Sequence, residues 1–595
     1  MMVLSYGMRL GVRWLATAFH SKTATLSPII MAMTTSPSYL RLTLAAMAGT
    51  MIMVSTAIAE QENNDSRARQ FIARHEAAIR PLEIESSRCW WDANTTGSDA
   101  AFRKKEEIET RLNLLLANRQ TFAELKAIKQ QPIRDPLLAR QIAVLYLQYL
   151  AQQIDPDLIK EMSARSNAVE KAYSVYRARV GGKELTENEV HDVLRTSKDS
   201  ARRRAVWEAS KAVGPILAPE LKKLARLRNR AARQLGFKDF HVMQLALAEQ
   251  SQEQVLRLFD ELDALTRRPF HVAKAEIDAA LARQCGVGVD DLRPWHYHDP
   301  FFQESPAIYG DFRSVYRQID TIQLVRKFYE GIGLPIDDVL ARSDLYEKPG
   351  KCPHAFSTDI DREGDVRVLA NVVPGQEWLK TMLHESGHAA YSKSIPRSVP
   401  CILRTESHAL TTEGVAMMFE RLGGDPRWLR AMGVNVPDAE KFALASHKLD
   451  RNQLLIFSRW CQVVFRFEMA LYDNPEQDLN RVWWDLVEKY QEVKRPAGRN
   501  QPDYASKIHI ATAPVYYQSY MLGQLFAAQV HHAIAREVLH GADPATAVYV
   551  GNPAVGQFMR QRVFEPGCTL DWNQLTRHAT GAELNSKAFA EDLRD

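Results

Sequence analysis

With 595 residues, a quarter of them charged, and a formal net charge of only +4, the chain is long enough to bury a large core and carries no concentrated basic footprint. That argues against nucleic acid as a partner. The six cysteines (Cys89, Cys285, Cys352, Cys401, Cys461, Cys568) form no CxxC pair, which argues against a cysteine zinc site or a thioredoxin-like centre, and their spacing fixes no disulfide pairing.

At the N-terminus, Arg41 precedes an apolar run from Leu42 to Ile58, and Ala57-Ile58-Ala59 supplies an A-x-A cleavage pattern before Glu60. Residues 1–59 read as an N-terminal extension and secretory signal peptide, with Met33 as an alternative start. A single membrane anchor is the competing reading, because the run is near the lower length limit for a span. Cleavage near Ala59 predicts an exported protein, periplasmic or extracellular, with no stable membrane insertion.

Beyond Ala59, apolar residues recur at three and four in stretches such as "FRKKEEIETRLNLLLANRQTFAELKAIKQ", "PLLARQIAVLYLQYLAQQI" and "APELKKLARLRNRAARQLGF". These predict amphipathic helices packed on one another. Breaks near Pro294 and Pro374 punctuate the chain without a long linker, and no repeat is evident. We read residues 60–595 as one mostly helical unit with two lobes. The clear strand candidate is "DVRVLANVV", which ends at Pro374.

Directly after it comes "LKTMLHESGHAAYSK", residues 379–393. Trp378, Leu379, Met382 and Leu383 set a helical apolar face and Pro396 ends the pattern, so His384 and His388 share one helix. Residues at i and i+4 stack on one face, letting both imidazoles reach a single ion at about 2.0–2.1 Å. Glu385, rotated by about 100° from His384, is placed to reach a water beside that ion and act as general base. A surface helix with two solvated histidines is the alternative. A catalytic zinc needs a third protein ligand. Downstream, "RTESHALTTEGVAMMFERLGG" offers Glu406, His408, Glu413 and Glu420, with Glu413 lying 25 residues after His388 and Glu406 one heptad before Glu413. Spacing leaves Glu406 open as a rival ligand or as an acceptor behind a metal histidine.

On these residues the chain resembles the gluzincin peptidases of the angiotensin-converting enzyme (peptidyl-dipeptidase A) family and, more distantly, the thimet-type oligopeptidases. Further stretches carry the likeness: "CWWDANTTGSDAA", "LYEKPGKCPHAFSTDIDREGDVRVLANV", "NPEQDLNRVWWDLVEKYQ" with Trp483-Trp484, and "YASKIHIATAPVYYQSYMLGQ". The resemblance implies a two-lobed helical fold with a deep central channel that admits oligopeptides, and a short strand pair beside the zinc helix. It implies one Zn2+ held by His384, His388 and Glu413, with Glu385 as base. By the same likeness His509 and Tyr520 stabilise the developing oxyanion, while Lys507 with Tyr517 or the adjacent Tyr516 binds a free C-terminal carboxylate. His354 and Ala355 line the peptide, Ala355 through main-chain groups. Release of C-terminal dipeptides is the expected activity. Internal cleavage of short peptides and a non-hydrolytic peptide binder are the alternatives.

The sequence also departs from the family pattern. The pocket's glutamine falls on Tyr297, and the chloride arginines of the animal enzymes fall on Val487 and Ser519. The acid that supports a zinc histidine falls on Met417, so Glu406 or a backbone carbonyl is expected to replace it.

Overall fold

The computed structural model describes residues 37–306, 308–310 and 313–594, with 37–62 and 313 described by their backbone alone. The fold is mostly α, as the apolar spacing predicts. Among the described residues the strands form two short antiparallel pairs: β1 (Ala178–Val180) with β2 (Lys183–Leu185), and β3 (Phe356–Asp359) with β4 (Val366–Leu369). One continuous apolar core runs from Leu147 to Leu593. The leader expected over residues 1–59 lies largely outside the described residues. From Pro37 onward the backbone is the start of α1 (Pro37–Thr96), against which α2 (Asp99–Leu116) packs. No helix among the described residues is long and apolar enough to cross a membrane.

Five helices and one hairpin position the site. The hairpin pairs Phe356 with Leu369 through Asp359 with Val366, and its turn is closed by Asp359 and Asp361 accepting backbone N–H groups. Asp344 bridges Leu369 on the far side of β4, so β3 keeps one edge free of strands among the described residues. The expected strand "DVRVLANVV" is strand only over Val366–Leu369. Beyond it Val372 N–H donates to Leu345 O and the chain peels away.

The helix α3 (Gln376–Ser394) starts after Pro374-Gly375 and packs on both strands. It stops where Ile395 turns extended ahead of Pro396. Then α4 (Ala409–Glu420) begins at an imidazole cap: His408 Nδ1 accepts from Leu410 N–H at 2.9 Å while Nε2 donates to Ala248 O at 2.9 Å. The long α5 (Ala439–Asp473) and the shorter α6 (Leu479–Gln491) pack Trp460 and Phe467 edge-on against Trp483. Finally α7 (Tyr517–Glu537) lies against α4. Their contact is backbone-close because both faces are glycine: a Cβ on Gly414 would meet Gly523 O at 2.7 Å, and one on Gly523 would meet the Met417 methyl at 2.7 Å.

Candidate metal centre and active site

His384 and His388 come from one face of α3, and Glu413 comes from the facing α4. Nδ1 of His384 donates to Glu420 Oε2 at 2.9 Å and Nδ1 of His388 donates to Thr412 Oγ1 at 2.6 Å. Both Nε2 atoms therefore turn toward each other, 3.2 Å apart, and Glu413 Oε2 lies 3.6 Å from His384 Nε2. The three ligand atoms all fall within 4.8 Å of one another. A tetrahedral ion with bonds of about 2.0–2.1 Å needs ligand atoms about 3.3 Å apart, so the donor set fits a metal such as zinc.

The support behind the histidines differs from expectation. Glu406 is outside the metal-ligating group and does not accept from a metal histidine: it takes a hydrogen bond from Ser392 Oγ, one turn beyond His388. Glu420, one turn beyond Met417, holds His384, and Met417 packs its methyl over Gly523. Glu420 lies seven residues after Glu413, on the same helical face, so it can stand behind a residue that Glu413 faces. The electrostatics are unequal. Burial lowers His384, but the hydrogen bond and charge of Glu420, with Glu385 and Glu413, carry it up to about 9. Burial and the charge on His384 push His388 well down.

Glu385 is buried against the hairpin and accepts from the Ser357 N–H. Burial pushes its carboxyl up to about 7, against the pull of His384. Ser357 points its N–H out of the free edge of β3. Along a strand, residues two apart present backbone groups to the same edge, so Ala355 offers its own N–H and C=O beside Glu385, with His354 next to it.

The segment from Lys507 to Tyr520 divides its side chains between two places. The buried Lys507 ammonium donates to Gln303 Oε1 at 2.8 Å and stands 5.5 Å from each of the rings of Phe301, Trp460 and Tyr517. Tyr517 packs edge-on against His509 at 5.1 Å and against Tyr520 at 5.7 Å. His509 keeps Nδ1 enclosed without a partner, and burial with Lys507 pushes the ring down to about 3, so the imidazole is neutral. Burial first, then the neighbouring Tyr516, Glu413 and Tyr517, raise Tyr520 far above the usual phenol range, leaving it a donor.

Gln303 corrects the sequence reading. The glutamine beside Lys507 is present, six residues after the Tyr297 position. Tyr297 is buried elsewhere, accepting from Lys274 at 2.7 Å and donating to Asp278 at 2.9 Å. Asp299 shapes the loop by accepting from the N–H groups of Phe301, Gln303 and Glu304. With Oε1 taken by Lys507, the Gln303 amide NH2 is left to donate. No helical period or motif marks Gln303, which sits in an irregular loop. Val487 and Ser519 are buried and supply no cation.

A family model described as angiotensin-converting enzyme matches residues 62–271 and 313–591. Curated relatives include angiotensin-converting enzyme of Theromyzon tessulatum, 20% identical over 88% of this chain and 90% of that protein. The angiotensin-converting enzymes of Sus scrofa and Rattus norvegicus are 22% and 24% identical over 87% and 68% of this chain. The chain spans 42% and 33% of those two proteins. The loop that carries Gln303 falls between the two matched blocks. With most of its length matched, the chain belongs to the angiotensin-converting enzyme family of metallopeptidases.

Proposed function

We propose that the protein is a zinc-dependent peptidyl-dipeptidase that removes dipeptides from the free C-terminus of oligopeptides. One observation carries the choice within the family: the buried Lys507 ammonium meets Gln303 and lies beside the ring of Tyr517, which in turn packs on Tyr520. An ammonium and an amide NH2 converging there suit a carboxylate. The aromatic rings around them keep the pair poorly solvated and strengthen the attraction.

His384, His388 and Glu413 would hold the ion, which when bound would supply Lewis acidity and make a water at the site easier to deprotonate. Glu385 takes the proton from that water and later delivers it to the leaving amine, a double role suited to a carboxyl near neutrality. Ala355 and His354 lay the peptide antiparallel along the free edge of β3, which places its scissile carbonyl over Glu385. Tyr520 and His509 donate to the oxygen on which charge develops. The wider setting of this reading is one catalytic unit over residues 60–595, two-lobed around a channel and exported after cleavage near Ala59.

The test compares a free-acid decapeptide with its C-terminally amidated twin, with products identified by mass spectrometry. Stepwise dipeptide release from the free acid alone is expected. Equal internal cuts in both peptides would make it an oligoendopeptidase and remove the carboxylate role of Lys507. No cleavage of either by the zinc-loaded protein would leave a peptide binder.

A further inference from the structure

The turn between His509 and Tyr517 is held in a costly form from outside. The short helical turn Ile508–Thr512 closes where Ala513 N–H donates to His509 O at 2.9 Å. Two residues on, Val515 has φ +59°, a left-handed conformation that β-branched residues avoid. Its carbonyl accepts from Gln518 Nε2 at 2.8 Å, a bond local to the start of α7. Its N–H is served from a distant segment: it donates at 2.8 Å to Oε1 of Glu468, a glutamate of α5.

A buried N–H needs an acceptor, but a carboxyl is a demanding one, since Glu468 is only 2% exposed and enclosing it forfeits solvation. The same face of α5 supplies a second tie one turn later. The Tyr472 hydroxyl accepts from Arg228 at 3.0 Å, and another nitrogen of that guanidinium donates to Ala511 O at 2.7 Å. Asn229 locks the pair by donating to Tyr472 O at 2.7 Å. The turn is thus gripped at Ala511 and Val515 from two helices, Gly214–Gln234 and α5, that carry neither the metal ligands nor the proposed donors.

Strain persists only where the surroundings over-determine it, and it gathers at functional sites. Lys507 and His509 stand on one side of the gripped turn, Tyr517 and Tyr520 on the other. Tyr517 meets all three of the others, its ring 5.5 Å from the Lys507 ammonium, 5.1 Å from His509 and 5.7 Å from Tyr520. We propose that Glu468 is a positioning residue: by taking the Val515 N–H it sets Lys507 and His509 on one side of the turn against Tyr517 and Tyr520 on the other. This rests on the hydrolytic reading above. Glu468 touches no substrate and acts through the backbone of Val515. Groups that hold a carboxylate and meet developing charge work only near their productive geometry, where a shift of about 1 Å costs on the order of 100-fold in rate.

The test compares E468Q, which keeps an acceptor oxygen of the same reach, with E468L, which removes it, both in the zinc-loaded protein. We measure kcat and KM on the free-acid decapeptide well below Tm, together with zinc content. V190A, which opens a cavity in the helix Glu187–Thr196, controls for lost stability alone. E468Q should stay within about twofold of wild type, whereas E468L should lose roughly 10- to 100-fold in kcat/KM, through a lower kcat and a raised KM, at normal zinc content. V190A should lower Tm and leave both constants unchanged. If E468L does not fold, E468D replaces it, a carboxyl one methylene too short to reach Val515, with the same loss expected. Wild-type kcat and KM in that variant with a lowered Tm would make Glu468 a residue of the fold alone and overturn the inference. So would an E468Q as impaired as E468L, because the acceptor would then not be what matters. An inert wild type would remove the hydrolytic reading and this inference with it, whereas an active wild type with an equally active E468L removes this inference alone.

Discussion

The candidate metal centre and the proposed carboxylate pocket are built in opposite ways. The first takes its ligands from two facing helices, where His384, His388 and Glu413 are fixed by helical spacing and braced by Glu420 and Thr412. The second collects Gln303 from an irregular loop, Lys507 from a turn and Tyr517 from the start of α7. A site on regular elements is set by periodicity, while a site on loops depends on whatever holds the loop, here the Asp299 carboxylate. Under the proposed function, the hydrolytic chemistry would sit on the rigid half and substrate choice on the adjustable half.

Substitutions can break or sharpen that contrast. The largest effect is expected from E385Q, which keeps the shape but removes the base: turnover should drop by about a thousandfold or more while zinc content stays normal. Retained turnover would remove the mechanism. Next comes E420Q, which leaves all three ligands in place. Zinc affinity should weaken about 10- to 100-fold in a chelator competition, with kcat close to wild type once zinc is saturating. A smaller and more selective change is expected of Q303A. It should lower kcat/KM for the free-acid decapeptide roughly tenfold and leave any cleavage of the amidated twin alone, because only a carboxylate uses that amide. Equal losses on both would move Gln303 out of substrate recognition.

The smallest effect concerns neither half but the brace beneath them. Burial pushes the Glu468 carboxyl up to about 8, outweighing its bond from Val515 and the charge of Arg228. A folded-state value above the unfolded one contributes stability at low pH that is lost as pH rises through about 8. E468Q keeps the acceptor oxygen but cannot ionise. Its Tm should therefore change less than that of wild type between pH 5 and pH 9, with the crossover in that window. Parallel curves would place the ionisation elsewhere.

The helical fold and the metal triad were legible because both are periodic: amphipathic spacing gives the helices, and i, i+4 with a following helix gives the ligands. What was not legible depended on contacts between distant segments. Glu420 could not be preferred over Glu406 without knowing which face of α4 meets His384, since both are whole heptads from Glu413. Gln303 was missed because an irregular loop has no register, so Tyr297 took its place by position alone. Which of Tyr516 and Tyr517 stands beside Lys507 was likewise hidden, because neighbouring residues at a helix start point about 100° apart and only the packing shows that Tyr517 meets Lys507 and His509. The strand candidate was too long for the same kind of reason: Leu345 captures the backbone after Leu369.

The glycine contact between α4 and α7 has a wider consequence. Gly414 and Gly523 touch neither metal nor peptide, yet they act as a feeler gauge of zero thickness between the helix that carries Glu413 and the one that starts at the tyrosines. A single added methyl is a shim: at Gly414 it would press on Gly523 O and the Phe526 ring, at 2.7 and 2.8 Å. Such a chain would retain every motif residue, while the helix that starts at the tyrosines would be pushed away from the helix that carries Glu413; under the proposed mechanism that would take the phenols out of reach of the reacting carbonyl. Drift at two chemically silent positions is thus a route by which a relative could keep the signature of a peptidase and lose the activity.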